Sequence, residues 1–300
     1  MQKLYDALAA FAPERVLANE PMSRHTTFRV GGPSDIMFFP KNSEEVLRAL
    51  VLAKEFGADA LVIGNGSNLV VRDGGVRGLV IVLGEHMAQI EINGTRLRAQ
   101  AGAMLARVSS AAQEAGLSGL EFASGIPGTL GGGCAMNAGA YGGQLSDVLV
   151  CARVLLNGEV RMLSREEMQM SYRSTLPLRA GGVVLEAEFE LRADDSAEIM
   201  ARMKDFNARR RDKQPLNLPS AGSTFKRPEG HFAGALIEGC GLKGVRVGGA
   251  QVSEKHAGFI VNVGGASATD ILGLIELVQQ RVLAETGVSL ETEVRIVGED

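Results

Sequence analysis

Eight glycines fall within nineteen residues of this 300-residue chain, at positions 125, 128, 131, 132, 133, 139, 142 and 143. Glycine loses more conformational freedom on folding than any other residue, so a purely structural segment of this make-up is an entropic liability. Two readings stand: a flexible linker, or a loop whose bare backbone must approach a ligand. Leu130, Met136 and Tyr141, set among the glycines, favour a packed segment and therefore the ligand. A second glycine turn, Gly64-Asn65-Gly66-Ser67-Asn68, directly follows an apolar strand expected at 61–63. Successive amides in such a turn can form a concave nest for phosphate. It is not a dinucleotide fingerprint of the Rossmann type, because Leu69 stands where the third glycine belongs and a strand follows where a helix should start. No Gly-Lys-Ser/Thr follows it, which excludes a P-loop. Alone, the turn reads as a hairpin or as a phosphate cradle. Together the two segments suggest a large phosphorylated cofactor held mainly by backbone.

Charge narrows the partners. Lys plus Arg is 31 against 35 Asp plus Glu, a formal charge of −4, so the chain lacks the basic field of a sequence-independent nucleic-acid binder. No apolar run is long enough to span a bilayer, and the N-terminal residues lack a signal peptide's apolar core. Cys134, Cys151 and Cys240 are odd in number, widely spaced and outside any metal-ligand pattern, which suits a reducing compartment. The expectation is a cytoplasmic monomer with no metal, no nucleic-acid partner and no membrane insertion.

The pattern along the chain is α+β. A helix is expected over 44–56 with Ser43 as its cap, then strands at 61–63, 69–71 and 78–83. Asn93-Gly94 and Asn157-Gly158 each separate strand-like runs, a strong hairpin signal. Residues 183–191 alternate apolar and acidic, as an antiparallel strand with one wet face does. Helices are expected near 104–115, in a short piece opened by Ser164 and Glu167 at capping-box spacing, and after Asp195 with Ile199, Met203 and Phe206 on one face. A proline-flanked break at 214–219 marks a domain boundary. Thr269 is expected to cap a helix ending at Gly287. A strand over 288–297 then puts Glu291, Glu293 and Arg295 on one face and Leu290, Thr292, Val294 and Ile296 on the other.

Several residues carry chemical potential with a plain alternative beside each. Arg173, after Tyr172, is a solvated surface arginine or an anion holder. The run Arg209-Arg210-Arg211-Asp212-Lys213 is a wet helix end or a diphosphate site. Ser223 sits between Gly222 and the cations Lys226 and Arg227, in an ordinary turn or in a site. No Gly-x-Ser-x-Gly elbow exists and neither His231 nor His256 has triad spacing, so serine-hydrolase chemistry is weakly supported. Glu293 is on the solvent side of a strand or lines a pocket.

The order of 64–69, 119–143, Ser171-Tyr172-Arg173-Ser174, 214–228, 241–259 and 290–297 closely resembles the UDP-N-acetylenolpyruvoylglucosamine reductase family, flavoenzymes of peptidoglycan precursor synthesis. The resemblance covers about 26–298. It implies the FAD-binding fold shared with vanillyl-alcohol-oxidase-type (PCMH-type) enzymes, in two α+β subdomains, plus a C-terminal α+β substrate-binding domain. The implied boundaries are 1–80 with 287–300, 81–212, and 213–286. It implies noncovalent FAD and NADPH as cofactors, and reduction of the enolpyruvyl ether of UDP-N-acetylglucosamine to UDP-N-acetylmuramate. By the same resemblance, Gly64, Asn65, Gly66, Ser67, Asn68, Ser124, Gly125, Ile126, Gly128, Thr129, Gly133, Asn137 and Gly139 hold the flavin. Arg173, Ser223 and Glu293 match the catalytic trio: Arg173 on the carboxylate, Glu293 as a protonated donor, Ser223 as the acid for the enolate carbon. Tyr172, Arg211, Lys213, Lys226 and Arg227 are the expected substrate contacts. No tyrosine occurs beyond 172, so this resembles the shorter subtype without a tyrosine-bearing insertion over the substrate. Two rivals remain at this stage. One is a related oxidase with covalent flavin, for which Cys134 is the only nearby tether; the other is a noncatalytic nucleotide-binding regulator.

Overall fold

Two hairpins with two-residue turns build the largest sheet. In the computed structural model, which describes residues 1–300, Leu149–Leu156 and Glu159–Ser164 are joined by Asn157 and Gly158 at φ 53° and 83°. Both central residues are left-handed, as the turn that matches strand twist requires. Ile90–Asn93 and Arg96–Gln100 form the second hairpin. Val183–Glu190 lies between the hairpins, pairing antiparallel with Leu149–Leu156 (Ala152 opposite Ala187) and with Arg96–Gln100 (Ala187 opposite Ala99). A register shift between Arg153 and Val154 buries Val184 beside Leu185, so the expected alternation fails at Val183 and Val184 and holds from Leu185 onward. One face carries Arg96 and Arg98 paired with Glu186, Glu188 and Glu190. The other, with Leu97, Ala99, Ala152, Val154 and Phe189, packs with the helices Leu105–Glu114 and Leu130–Ala135. Gly131 is required there, because a Cβ on it would stand 2.7 Å from that of Ala101.

This sheet belongs to the first of two compact units, Met1–Val16, Met37–Asn65 and Val80–Arg210. The helix Ser43–Glu55 in the same unit is capped by Asn42, whose side chain accepts from Glu45 N, and Ser43 is its first residue rather than the expected cap. Asn42 takes that role because its backbone is extended while that of Ser43 is already helical. Ser164 and Glu167 do exchange reciprocal hydrogen bonds, yet no helix follows. Gln169 turns left-handed at φ 47° and stops it after one turn.

The second unit is Leu17–Ile36, Gly66–Leu79 and Arg211–Asp300. The helix Ala268–Thr286 buries Ile271, Leu274, Ile275, Val278 and Val282. They share a core with Phe28, Val30, Val70, Ile237 and Val252. A three-stranded antiparallel sheet, Arg246–Val247, Ala250–Val252 and Ile260–Asn262, lies in the same unit. Ser267 rather than Thr269 caps the helix, in a reciprocal box with Asp270. Thr269 is occupied elsewhere: its amide and hydroxyl, with the Ala268 amide, donate to the Asp73 carboxylate at 2.7–2.9 Å. The shared core and this bond group the segments 17–36 and 66–79 with the C-terminal part, a cut that differs from the three-part expectation.

The expected strand over 288–297 is reduced to Arg295–Val297, parallel to Leu69–Val71. The residues before it use their backbone groups on a different partner. Lys226 N donates to Glu291 O, Glu293 N donates to Thr224 O, and Phe225 opposes Thr292. Leu290 and Val294 are consequently the buried pair, while Ile296 is 39% exposed, so the two-faced alternation fails. No helix is long and apolar enough to cross a membrane.

Candidate active site

In the first unit the two glycine loops meet. Asn65 Nδ2 donates to Pro127 O at 2.6 Å. Gly64 backs onto Thr129 so closely that a Cβ would come within 2.1 Å of its Oγ1. Thr129 is the N-cap of Leu130–Ala135, but its hydroxyl caps nothing; it is buried and has no hydrogen-bond partner. Leu105 N donates to Gly128 O at 3.0 Å, and Gly133 N donates to Thr129 O at 2.8 Å. Ile126 packs on the sheet's core. Ser124 Oγ accepts from Asn207 Nδ2 at 3.2 Å, and Gly125 O accepts from the Arg210 guanidinium.

Asn137 is buried at φ 44° and acts as a latch. Its amide donates to Gln144 Oε1 and Ser171 O at 3.2 Å, and its Oδ1 accepts from Ser146 N. Arg173, at φ 55°, reaches the carbonyls of Asn137 and Gly139 at 3.4 and 3.5 Å, with the exposed Tyr172 ring 5.1 Å from its guanidinium. Arg173 is thereby in contact with the segment that carries Asn137 and Gly139.

Sequence reasoning missed Asn207, and weighed Arg210 only within the run 209–213, as part of a wet helix end or a diphosphate site. Arg210 is only 9% exposed, and its guanidinium stands 5.9 Å from the Tyr141 ring, which stacks on Phe206 at 5.0 Å. The signal was the helical spacing Phe206, Asn207, Arg210; the flanking cations disguised it as part of a wet helix end.

In the second unit, Gly66 O accepts from Thr27 N, and Asn68 is tied to the chain terminus: its Nδ2 donates to Glu293 O at 3.0 Å, its carbonyl accepts from Arg295 N at 2.9 Å. Ser67 lies between them, half-buried. Ser223 is half-buried beside Thr224, which is fully buried and bonded on three sides. Thr224 N donates to Gly258 O, its Oγ1 accepts from Ile260 N, and its carbonyl accepts from Glu293 N. Thus Thr224, the next residue after Ser223, and Glu293 belong to one backbone ladder. Lys226 Nζ lies 2.9 Å from the Glu291 carboxylate, and this bond holds the Glu291 carboxyl below the usual range. Arg227 lies over the Phe232 ring at 4.0 Å. Arg211 and Lys213 are exposed, and the Arg211 carbonyl accepts from the Lys255 ammonium. Burial pushes the His256 imidazole below its ordinary range, and its Nδ1 accepts from Gly258 N at 3.1 Å. No cluster of His, Cys, Asp and Glu could hold a metal.

Comparison with known proteins adds identity to this geometry. Residues 34–164 match the model for an FAD binding domain, and 214–297 that for the UDP-N-acetylenolpyruvoylglucosamine reductase C-terminal domain. A UDP-N-acetylenolpyruvoylglucosamine reductase from Alkaliphilus oremlandii is 51% identical, over 99% of both chains. The crystal structure of UDP-N-acetylenolpyruvylglucosamine reductase from Thermus caldophilus superposes with a TM-score of 0.80 at 36% identity, covering 94% of this chain and 97% of that one. An alkyldihydroxyacetonephosphate synthase matches 64% of this chain and 41% of its own at TM-score 0.51 and 19% identity, a likeness of fold alone.

Proposed function

The chain belongs to the UDP-N-acetylenolpyruvoylglucosamine reductase family, and on that premise we propose how its residues divide the work. The protein is an FAD-dependent oxidoreductase that reduces UDP-N-acetylglucosamine enolpyruvate to UDP-N-acetylmuramate with NADPH, in peptidoglycan synthesis. Its likeness to a named reductase over 99% of both chains carries this reading.

The residues present fit a flavin dinucleotide. The two loops offer bare backbone where Gly64 backs onto Thr129, and the Thr129 hydroxyl has no protein partner. Gly64, Asn65, Gly66, Ser67 and Asn68 would hold the cofactor from one loop, and Ser124, Gly125, Ile126, Gly128, Thr129, Gly133, Asn137 and Gly139 from the other. When bound, FAD supplies the two-electron relay between NADPH and the enolpyruvyl double bond.

The protein's part is to manage charge and a proton. Hydride addition at the terminal carbon leaves negative charge on the adjacent carbon, conjugated to a carboxylate, and donors placed beforehand stabilise that charge. Arg173 meets the carboxylate with a planar fork. Its guanidinium also reaches the carbonyls of Asn137 and Gly139 at 3.4 and 3.5 Å. Glu293 in its protonated form donates to the developing enolate. Ser223 delivers its proton to the carbon. Lys213, Lys226 and Arg227, within a substrate-binding part over 213–286, bind the rest of the substrate together with Tyr172 and Arg211. We place the enzyme in the cytoplasm as a monomer.

The test is anaerobic. The yellow holoenzyme should bleach on adding NADPH and regain colour on adding UDP-N-acetylglucosamine enolpyruvate, with UDP-N-acetylmuramate as product. A protein that carries no flavin, or bleaches without recolouring, overturns the reading.

A further inference from the structure

Phe232 is the most exposed large apolar side chain of the molecule, at 62%, and it follows a loop rich in polar residues. An aromatic ring left so open is ordinary when isolated, but this one is organised. The Arg227 guanidinium lies 4.0 Å from the ring centroid, and its Nε donates to His231 O at 3.4 Å, so that cation and ring are held together across the turn 228–231. Arg227 is also the fourth residue after Ser223. The intervening chain is extended, because Thr224, Phe225 and Lys226 are laddered to Glu293, Thr292 and Glu291. At roughly 3.3 Å per residue, Arg227 stands about 13 Å along the chain from Ser223. In the substrate, a hexose, a diphosphate and a ribose separate the enolpyruvyl group from the uracil, a span of the same order.

Resting on the function proposed above, we propose that the Phe232 ring, backed by Arg227, is the stacking platform for the uracil base of the substrate. A pyrimidine has a flat face and no charge, which suits stacking on an aromatic ring, and the guanidinium that backs the ring faces the anionic diphosphate next to the base. Phe232 then contributes to affinity without touching the reacting atoms. Its influence belongs in KM and in the binding of any uridine nucleotide, not in the chemical step.

The experiment compares wild-type, Phe232→Ala and Phe232→Tyr holoenzymes, with UDP as the probe. Loss of one stacked base predicts a rise of about tenfold in KM for the enolpyruvyl substrate and in the inhibition constant of UDP for Phe232→Ala, with kcat within about threefold. Phe232→Tyr keeps the ring and should stay within about threefold of wild type in both constants. The side chain is exposed, so flavin content and the melting temperature should be retained, and both are measured. Unchanged KM and UDP inhibition in Phe232→Ala would overturn the platform, while bleaching by NADPH and recolouring by substrate would leave the enzyme's function standing. A fall in kcat with no change in KM would overturn it equally.

Discussion

The backbone amide of Glu293 donates to the carbonyl of Thr224 at 2.8 Å. This bond joins a turn between glycine and two cations to a segment close to the chain's end, and it seats Ser223 one residue from the point of contact. Thr224 is wholly buried, with its amide, hydroxyl and carbonyl all engaged. Ser223, the residue proposed as proton donor, therefore adjoins a position bonded on three sides. Rigid support of this kind is what an acid needs, since small misplacements of a catalytic group are costly.

Ser223→Ala separates the two half-reactions. Bleaching by NADPH should be unchanged, while recolouring by the enolpyruvyl substrate should slow by roughly 10²–10⁴. Stopped-flow absorbance reads both, and equal slowing of both would remove Ser223 from the role of acid.

Glu293 should rank by its ability to donate. Glu293→Gln keeps an N–H donor at the same reach and should be less impaired in substrate reduction than Glu293→Ala. Steady-state kcat for the two variants decides it; the reverse order would count against a donor role.

Gly64→Ala tests the meeting of the two loops. The added Cβ would stand 2.1 Å from Thr129 Oγ1 and 3.2 Å from its Cβ, so one loop must shift. A cost of about 1–3 kcal/mol is expected for such overpacking, with weakened flavin retention. Combining it with Thr129→Ala removes the nearest atom and should recover part of both losses. Urea unfolding and flavin release by dialysis measure them.

Asp73 governs stability at acid pH. Burial raises its pKa, but the Thr269 hydroxyl and the amides of Thr269 and Ala268 outweigh this and hold the carboxyl below its ordinary value. A depressed carboxylate stabilises the fold above its unfolded pKa, and that contribution is lost as pH falls through the lower folded value. Asp73→Ala leaves the start of Ala268–Thr286 without these acceptors and should cost about 1 kcal/mol near neutrality. Below the folded-state pKa the two proteins should converge, which denaturation at a series of pH values would show.

Cys134 bears on covalent attachment. It is fully buried, and burial pushes its thiol up to about 12. The thiolate is therefore scarce and unreachable. Native holoenzyme should leave Cys134 unmodified by iodoacetamide, and acid precipitation should release the flavin to the supernatant; a yellow pellet would restore the covalent alternative.

Local chemistry was legible in the sequence. Asn157-Gly158 specified its turn because few other residues tolerate two successive left-handed conformations. The phase of apolar residues in 268–286 marked its buried face because helical periodicity is written every three or four residues. The roles of Arg173, Ser223 and Glu293 came from the resemblance, not from spacing. What only the tertiary structure decided are the pairings whose partners lie far apart in sequence. Whether 288–294 would ladder with 224–226 or continue as one long strand depends on which backbone groups lie opposite, and no side-chain period records that. Whether Arg210 is wet like its neighbours depends on Gly125 O and the Tyr141 ring meeting it. Propensity acts within a turn or two of chain, whereas burial and hydrogen-bond partnership are settled by whatever the folded chain brings alongside.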